Sequence, residues 1–152
     1  MTTPGNQHPS TPKRLGYALQ TLILLSRHQD GVCPSCNMAE SIESQAALLR
    51  RILARLASHG LVEAKEGRDG GYRLAKPPEA ITIADVYVAM QVEEPLTRGL
   101  IDSTSSGMFG QEMQAVFAGL TEDLERRLLD GLRRQTVADL IRSLECHTRA
   151  AR

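Results

Sequence analysis

Two kinds of side chain in this sequence are spaced for chemistry: a pair of thiols and a set of arginines. Cys33-Pro34-Ser35-Cys36 is a C-x-x-C pair. Three readings of it stand side by side. It is a thiol switch, with the Cys36 thiolate stabilised near a helix N-terminus. It is half of a zinc site completed by Cys146 or His28. Or it is two thiols without a role, since one such pair without a second carries little weight. The arginines are Arg50, Arg51 and Arg55, followed by Arg68 in Glu66-Gly67-Arg68-Asp69-Gly70-Gly71. Arg51 and Arg55 are one helical turn apart and suit a run of phosphates or a guanine edge. An arginine on a thin glycine loop suits a narrow, electronegative minor groove. Ser44 and Gln45 stand where a helix N-terminus approaches a phosphate, and Arg73 and Lys76 flank the loop.

Other chemistries are poorly supplied. The GRDGG run is neither a Walker loop nor a dinucleotide fingerprint, and it leads into a strand pattern, not a helix. There are no paired catalytic carboxylates, nucleophile motif or cofactor loop, so no enzyme is expected. His8, His28, His59 and His147 show no ligand or triad spacing. No metal or cofactor is expected.

The elements that must position the arginines follow from apolar periodicity. Leu15, Ala18, Leu19, Leu22 and Leu25 recur at helical steps and predict a helix to about His28, ended by Asp30-Gly31. A short helix is expected over 35–41. A longer one over 44–59 has Ser44 as N-cap, the stripe Leu49, Ile52, Leu53 and Leu56, and Gly60 as its stop. Residues 61–65 and 72–75 read as strands of a hairpin around the glycine tip. Thr82 to Asp85 opens a helix to about Gln91 with a capping-box pattern. Residues 93–108 are polar and Gly/Ser-rich and read as a flexible loop. A long helix over 109–134 carries Met113, Val116, Phe117, Leu120, Leu124, Leu128 and Leu132 on one side, and Thr136 caps a last helix to about Cys146. No internal repeat is evident. Phe117, Leu120, Leu124 and Leu128 are the expected dimerisation residues.

Helix, short helix, turn, longer helix, hairpin, helix is the order of a winged helix-turn-helix. The expected fold is mainly α with a small β-hairpin wing and a long C-terminal dimerisation helix. The expected organisation is a disordered tail (1–12), a winged helix-turn-helix (13–92), a flexible loop (93–108) and dimerisation helices (109–148). Composition agrees. Aromatics are 3 % of 152 residues and Trp is absent, so the core falls to Leu, Ile, Val and Ala. The formal net charge is zero, yet residues 1–79 hold ten Lys/Arg against seven Asp/Glu, and residues 80–152 eight against eleven. A basic half joined to an acidic half fits a nucleic-acid-binding region followed by an assembly region. No 18-residue apolar run is present and the N-terminus lacks an apolar signal core, so no membrane partner is expected. Three cysteines do not make a disulfide scaffold, which points to a reducing cytoplasm.

These residues resemble the Rrf-two (BadM-type) transcriptional regulators. The resemblance runs through Lys13 to Leu19, Asn37 to Ile42, Leu49 to Leu53, Gly60 to Val62, Gly67 to Ala75 and Ile81 to Tyr87. It covers residues 13–92 well and the long helix more loosely. It implies a dimeric winged-helix repressor whose long helix exchanges contacts between subunits. The function expected is repression from a palindromic operator on double-stranded DNA by a homodimer, with a small-molecule or redox effector left open. Ser44, Gln45, Arg50, Arg51 and Arg68 take the recognition-helix and wing roles. Several family members hold a two-iron–two-sulfur cluster on cysteines in the loop before the long helix. Here residues 93–108 have neither Cys nor His, so the chain resembles the cluster-free branch. The alternative is a winged helix that has lost DNA binding and docks partner proteins with the same surface.

Overall fold

Leucines and alanines at three- and four-residue steps wind Thr11–Arg27 into α1, which buries Ala18, Leu22 and Leu25. The structure, a computed structural model, describes residues 11–28, 32–91 and 95–151. Most of the tail expected over 1–12 lies outside these, but Thr11 and Pro12 already belong to α1. Proline fits there because a helix's first turn has no use for its missing N–H. Two helices follow, α2 (Ser35–Ile42) and α3 (Ala46–Ser58). Leu49, Ile52, Leu53 and Leu56 form the buried stripe of α3, each at most 1 % exposed. Burial on that scale contributes about 1.5–3 kcal/mol per side chain as an upper bound.

Both helices end in the same way. At the end of α2, Glu43 N–H donates to Glu40 O (3.2 Å) and Ser44 N–H to Ala39 O (3.0 Å), with Glu43 left-handed at φ 52°. At the end of α3, Gly60 (φ 69°) and Leu61 make the equivalent bonds to Ala57 O and Leu56 O. This is the Schellman arrangement, and the two residues its longer bond joins after α3, Leu56 and Leu61, are both buried. It corrects one expectation. Ser44 is committed by its backbone to ending α2, so the N-cap of α3 is Gln45, and Gln45 makes no side-chain cap.

The wing is β1 (Val62–Lys65) paired antiparallel with β2 (Gly71–Leu74), with Val62 opposite Leu74 and Glu63 opposite Arg73. Cys33 adds a third rung. Its N–H donates to Tyr72 O (2.9 Å) and its carbonyl accepts from Tyr72 N–H (3.0 Å). The backbones approach so closely that a Cβ on Gly71 would sit 2.7 Å from Cys33 O. Only glycine fits there.

After a 3-10 turn (Pro78–Ala80) comes α4 (Ile83–Ala89), shorter than expected, with the full Thr82/Asp85 capping box. The stretch expected as a loop over 93–108 contains α5 (Pro95–Asp102), while its residues 93 and 94 lie outside the described ones. Pro95 opens α5, and its half-buried Leu100 and Ile101 accompany packing on α6 (Met108–Arg133). Eight residues do not hold a helix alone, so tertiary contact decides the conformation against a Gly/Ser-rich composition.

The last helix is α7 (Val137–Ala150). It folds back onto α1 and the 3-10 turn, and Val137 is fully buried in the winged-helix core. Thr136/Asp139 repeats the capping box of Thr82/Asp85, and the two helix starts pair as a short bridge. Ile83 N–H donates to Gln135 O and Val137 N–H to Ile81 O, both at 2.9 Å. Ile81-Thr82-Ile83-Ala84-Asp85 and Gln135-Thr136-Val137-Ala138-Asp139 therefore form a local repeat, T-x-A-D, that the sequence reading missed.

Candidate nucleic-acid interface

With one face of α3 sunk in the core, its opposite face is fixed outward. That face carries Ala47, Arg50, Arg51 and Ala54, all exposed. Ala47 and Ala54 are the small residues that flank Arg51 on that face. Arg50 and Arg51 have no hydrogen-bond or ion-pair partner among the described residues. No acid stands in the first turn of α3 and no side chain caps it, so its N–H groups remain available to an anion. Gln45 is exposed at that end. Ser44 differs from expectation: its Oγ is buried and without a partner, so it does not face outward with Gln45.

Arg55 is placed differently from Arg50 and Arg51. It is half-buried, and its Nη1 donates to Gln91 Oε1 at 3.0 Å, so it reaches the end of α4. Nothing in the apolar pattern announces Gln91 as its partner, because the two are far apart in sequence.

At the wing, Arg68 is exposed at the tip and has no partner among the described residues. Exposed Glu66 and Asp69 stand beside it, so the tip offers one cation and no positive patch. Arg73 is engaged by the residue directly across the hairpin. Its Nε and Nη2 reach Glu63 Oε2 at 2.9 and 2.8 Å. Such an exposed pair contributes about 0–1 kcal/mol, little enough for a phosphate to displace it.

Cys33 is 3 % exposed and belongs to the hydrophobic core, and the Cys36 side chain lies outside the described residues. Cys146 is exposed on α7. Among the described residues no group of three or more His, Cys, Asp or Glu is placed to hold a metal ion. None of their helices is long and apolar enough to cross a membrane.

The comparisons with known proteins bear on this geometry directly. Over residues 11–143 the chain matches the family described as Rrf2, iron-dependent transcriptional regulator. It is 29% identical over 131 residues to the HTH-type transcriptional regulator IscR of Cereibacter sphaeroides, covering 84% of this chain and 83% of that one. A transcriptional regulator from Lactobacillus plantarum shares its fold at TM-score 0.76 and 20% identity, over 91% of this chain and 98% of that one. So does the oxidized form of Staphylococcus aureus CymR, at TM-score 0.62 and 22% identity, over 84% and 92%. The donors present do not fit an iron–sulfur cluster before α6. Residues 93–108 carry no thiol or imidazole, and Cys33 and Cys146 sit on other elements. What remains common is the DNA-binding body, and a match from the first turn of α1 well into α7 makes this chain a member of the Rrf2 family of DNA-binding transcriptional regulators.

Proposed function

We propose that this regulator is a cytoplasmic homodimer that represses transcription from a palindromic operator. The observation that carries the reading is the set of three unpartnered, exposed arginines, Arg50, Arg51 and Arg68, on a rigid helix face and a wing tip. Arg51 and Gln45 enter the major groove and Arg68 reaches the adjacent minor groove. Two such modules read half-sites about one helical turn apart. The dimer reading is supported by α6, where Val116, Leu120 and Leu124 are 60%, 47% and 40% exposed along one edge of its apolar side. Phe117 and Leu128, on the same side, are half-buried.

Cys33 and Cys36 are the proposed redox input. Peroxide takes two electrons and two protons from the two thiols, forming one disulfide and two waters. The pairing of Cys33 with Tyr72 supports a path from that bond to the wing, and the burial of Cys33 makes the reaction slow.

The test is a titration of the reduced protein against its own upstream DNA at several salt concentrations, repeated after peroxide. Nanomolar affinity that falls steeply with salt is expected, weaker after oxidation, with Cys33→Ser insensitive to peroxide. Salt-independent or absent binding overturns the regulator reading. Equal affinity before and after oxidation overturns the redox input alone.

A further inference from the structure

We infer that Arg55 is a strut that sets the angle of the recognition helix and not a DNA contact, and that Gln91 is the residue that positions it. The inference rests on the DNA-binding reading of α3. Arg55 stands in the last turn of α3, about 14 Å along the axis from its first residue, Ala46. At that end backbone carbonyls face outward, so the local field favours a cation and disfavours an incoming phosphate. The Arg55 carbonyl is itself occupied, accepting from Ser58 Oγ at 2.8 Å and from His59 N–H at 3.2 Å.

From there the guanidinium crosses to Gln91 Oε1, 3.0 Å away, and Gln91 directly follows Met90, the fully buried C-cap of α4. The bond therefore ties the carbonyl end of α3 to the carbonyl end of α4, with the cation serving both. Gln91 holds φ at 48°, a left-handed conformation that is strained for a residue other than glycine. The turn that imposes this strain is the one that brings the amide to Arg55, since the Gln91 N–H donates to Val88 O at 3.0 Å. Arg51, by contrast, has no partner among the described residues and stands nearer the N-terminus on the open face. Two arginines one turn apart thus have separate tasks, Arg51 touching DNA and Arg55 holding the helix that presents it.

Salt separates contact from positioning. Each phosphate contact adds about 0.9 to the slope of log affinity against log salt, and a strut adds nothing. The full-length protein is titrated with a duplex of its upstream DNA at several salt concentrations, alongside Arg51→Ala, Arg55→Ala, Gln91→Asn and the double variant of Arg55 and Gln91. Asparagine tolerates the left-handed conformation but is too short to reach Arg55, so Gln91→Asn keeps the melting temperature. We expect Arg55→Ala and Gln91→Asn each to weaken binding about fivefold at every salt concentration, with the wild-type slope. The double variant is no weaker than either single one, and only Arg51→Ala lowers the slope. A slope lowered by Arg55→Ala, or wild-type affinity in Gln91→Asn, overturns the inference. A wild-type protein whose affinity ignores salt overturns the DNA-binding reading instead.

Discussion

Side chains of one type divide into different roles once their partners are counted. Among the described residues Arg50, Arg51 and Arg68 project unpaired, Arg73 is held across the hairpin by Glu63, and Arg55 is held by Gln91. The first group is where substitution should touch function and leave folding alone. Arg51→Ala and Arg68→Ala are each expected to weaken operator binding about 10-fold or more while the melting temperature stays within a degree or so. A lowered melting temperature with intact affinity would remove either residue from the interface. The titrating residue that stands apart is Asp139. The Thr136 N–H first, then the Thr136 hydroxyl and Arg142, hold its carboxyl below the ordinary aspartate range. A lowered folded-state pKa means stability that is present above the unfolded value, about 3.9, and lost as pH falls through the folded one. Asp139→Asn should therefore melt below wild type at neutral pH, with the gap closing in acid below that value. Melting curves from pH 7 to 3 that stay parallel would contradict the assignment.

At the scale of elements, the paired starts of α4 and α7 decide how the C-terminal half is attached. Two capping boxes lie side by side, and the backbone bridge between them returns α6 to the winged-helix body. Thr136→Ala removes one cap and should cost about 1 kcal/mol, read as a lower urea midpoint at unchanged m value. The wing has its own lock. Gly71→Ala would place a methyl group 2.7 Å from Cys33 O and 2.8 Å from its carbonyl carbon, both backbone atoms that cannot swing aside. The edge pairing with Cys33 should open, losing roughly 1–3 kcal/mol and the exchange protection of the Tyr72 amide. A protected Tyr72 amide in that variant would mean the backbone relaxes without cost. The Schellman endings of α2 and α3 explain a further shift. They consume Ser44 and Leu61 N–H groups, so the hydroxyl expected to cap α3 is buried behind its start.

For the molecule as a whole, α6 is the element a single chain leaves unfinished. Its Val116, Leu120 and Leu124 edge faces solvent while the rest of its apolar side packs toward the body. In the proposed homodimer a second copy buries that edge and brings two recognition helices to one operator. Leu124→Asp should then yield a monomer by sedimentation and lose most operator affinity, since the half-sites act together. A monomer with full affinity would refute the dimeric reading. Much of this architecture is legible in the residue order alone. Apolar steps of three and four mark α1, α3 and α6, the glycine tip marks the wing, and Thr82/Asp85 marks α4, because each signal is local to a few turns of chain. Local signals also placed Arg50, Arg51, Gln45 and Arg68 on the outer surfaces of those elements. Tertiary structure alone decided what depends on contact between distant segments. Arg55 meets Gln91, Cys33 pairs with Tyr72, α5 is helical where composition reads as loop, and α7 folds back on α1. Each is set by which groups the folded chain brings within hydrogen-bonding or packing distance, a property that no stretch of sequence carries by itself.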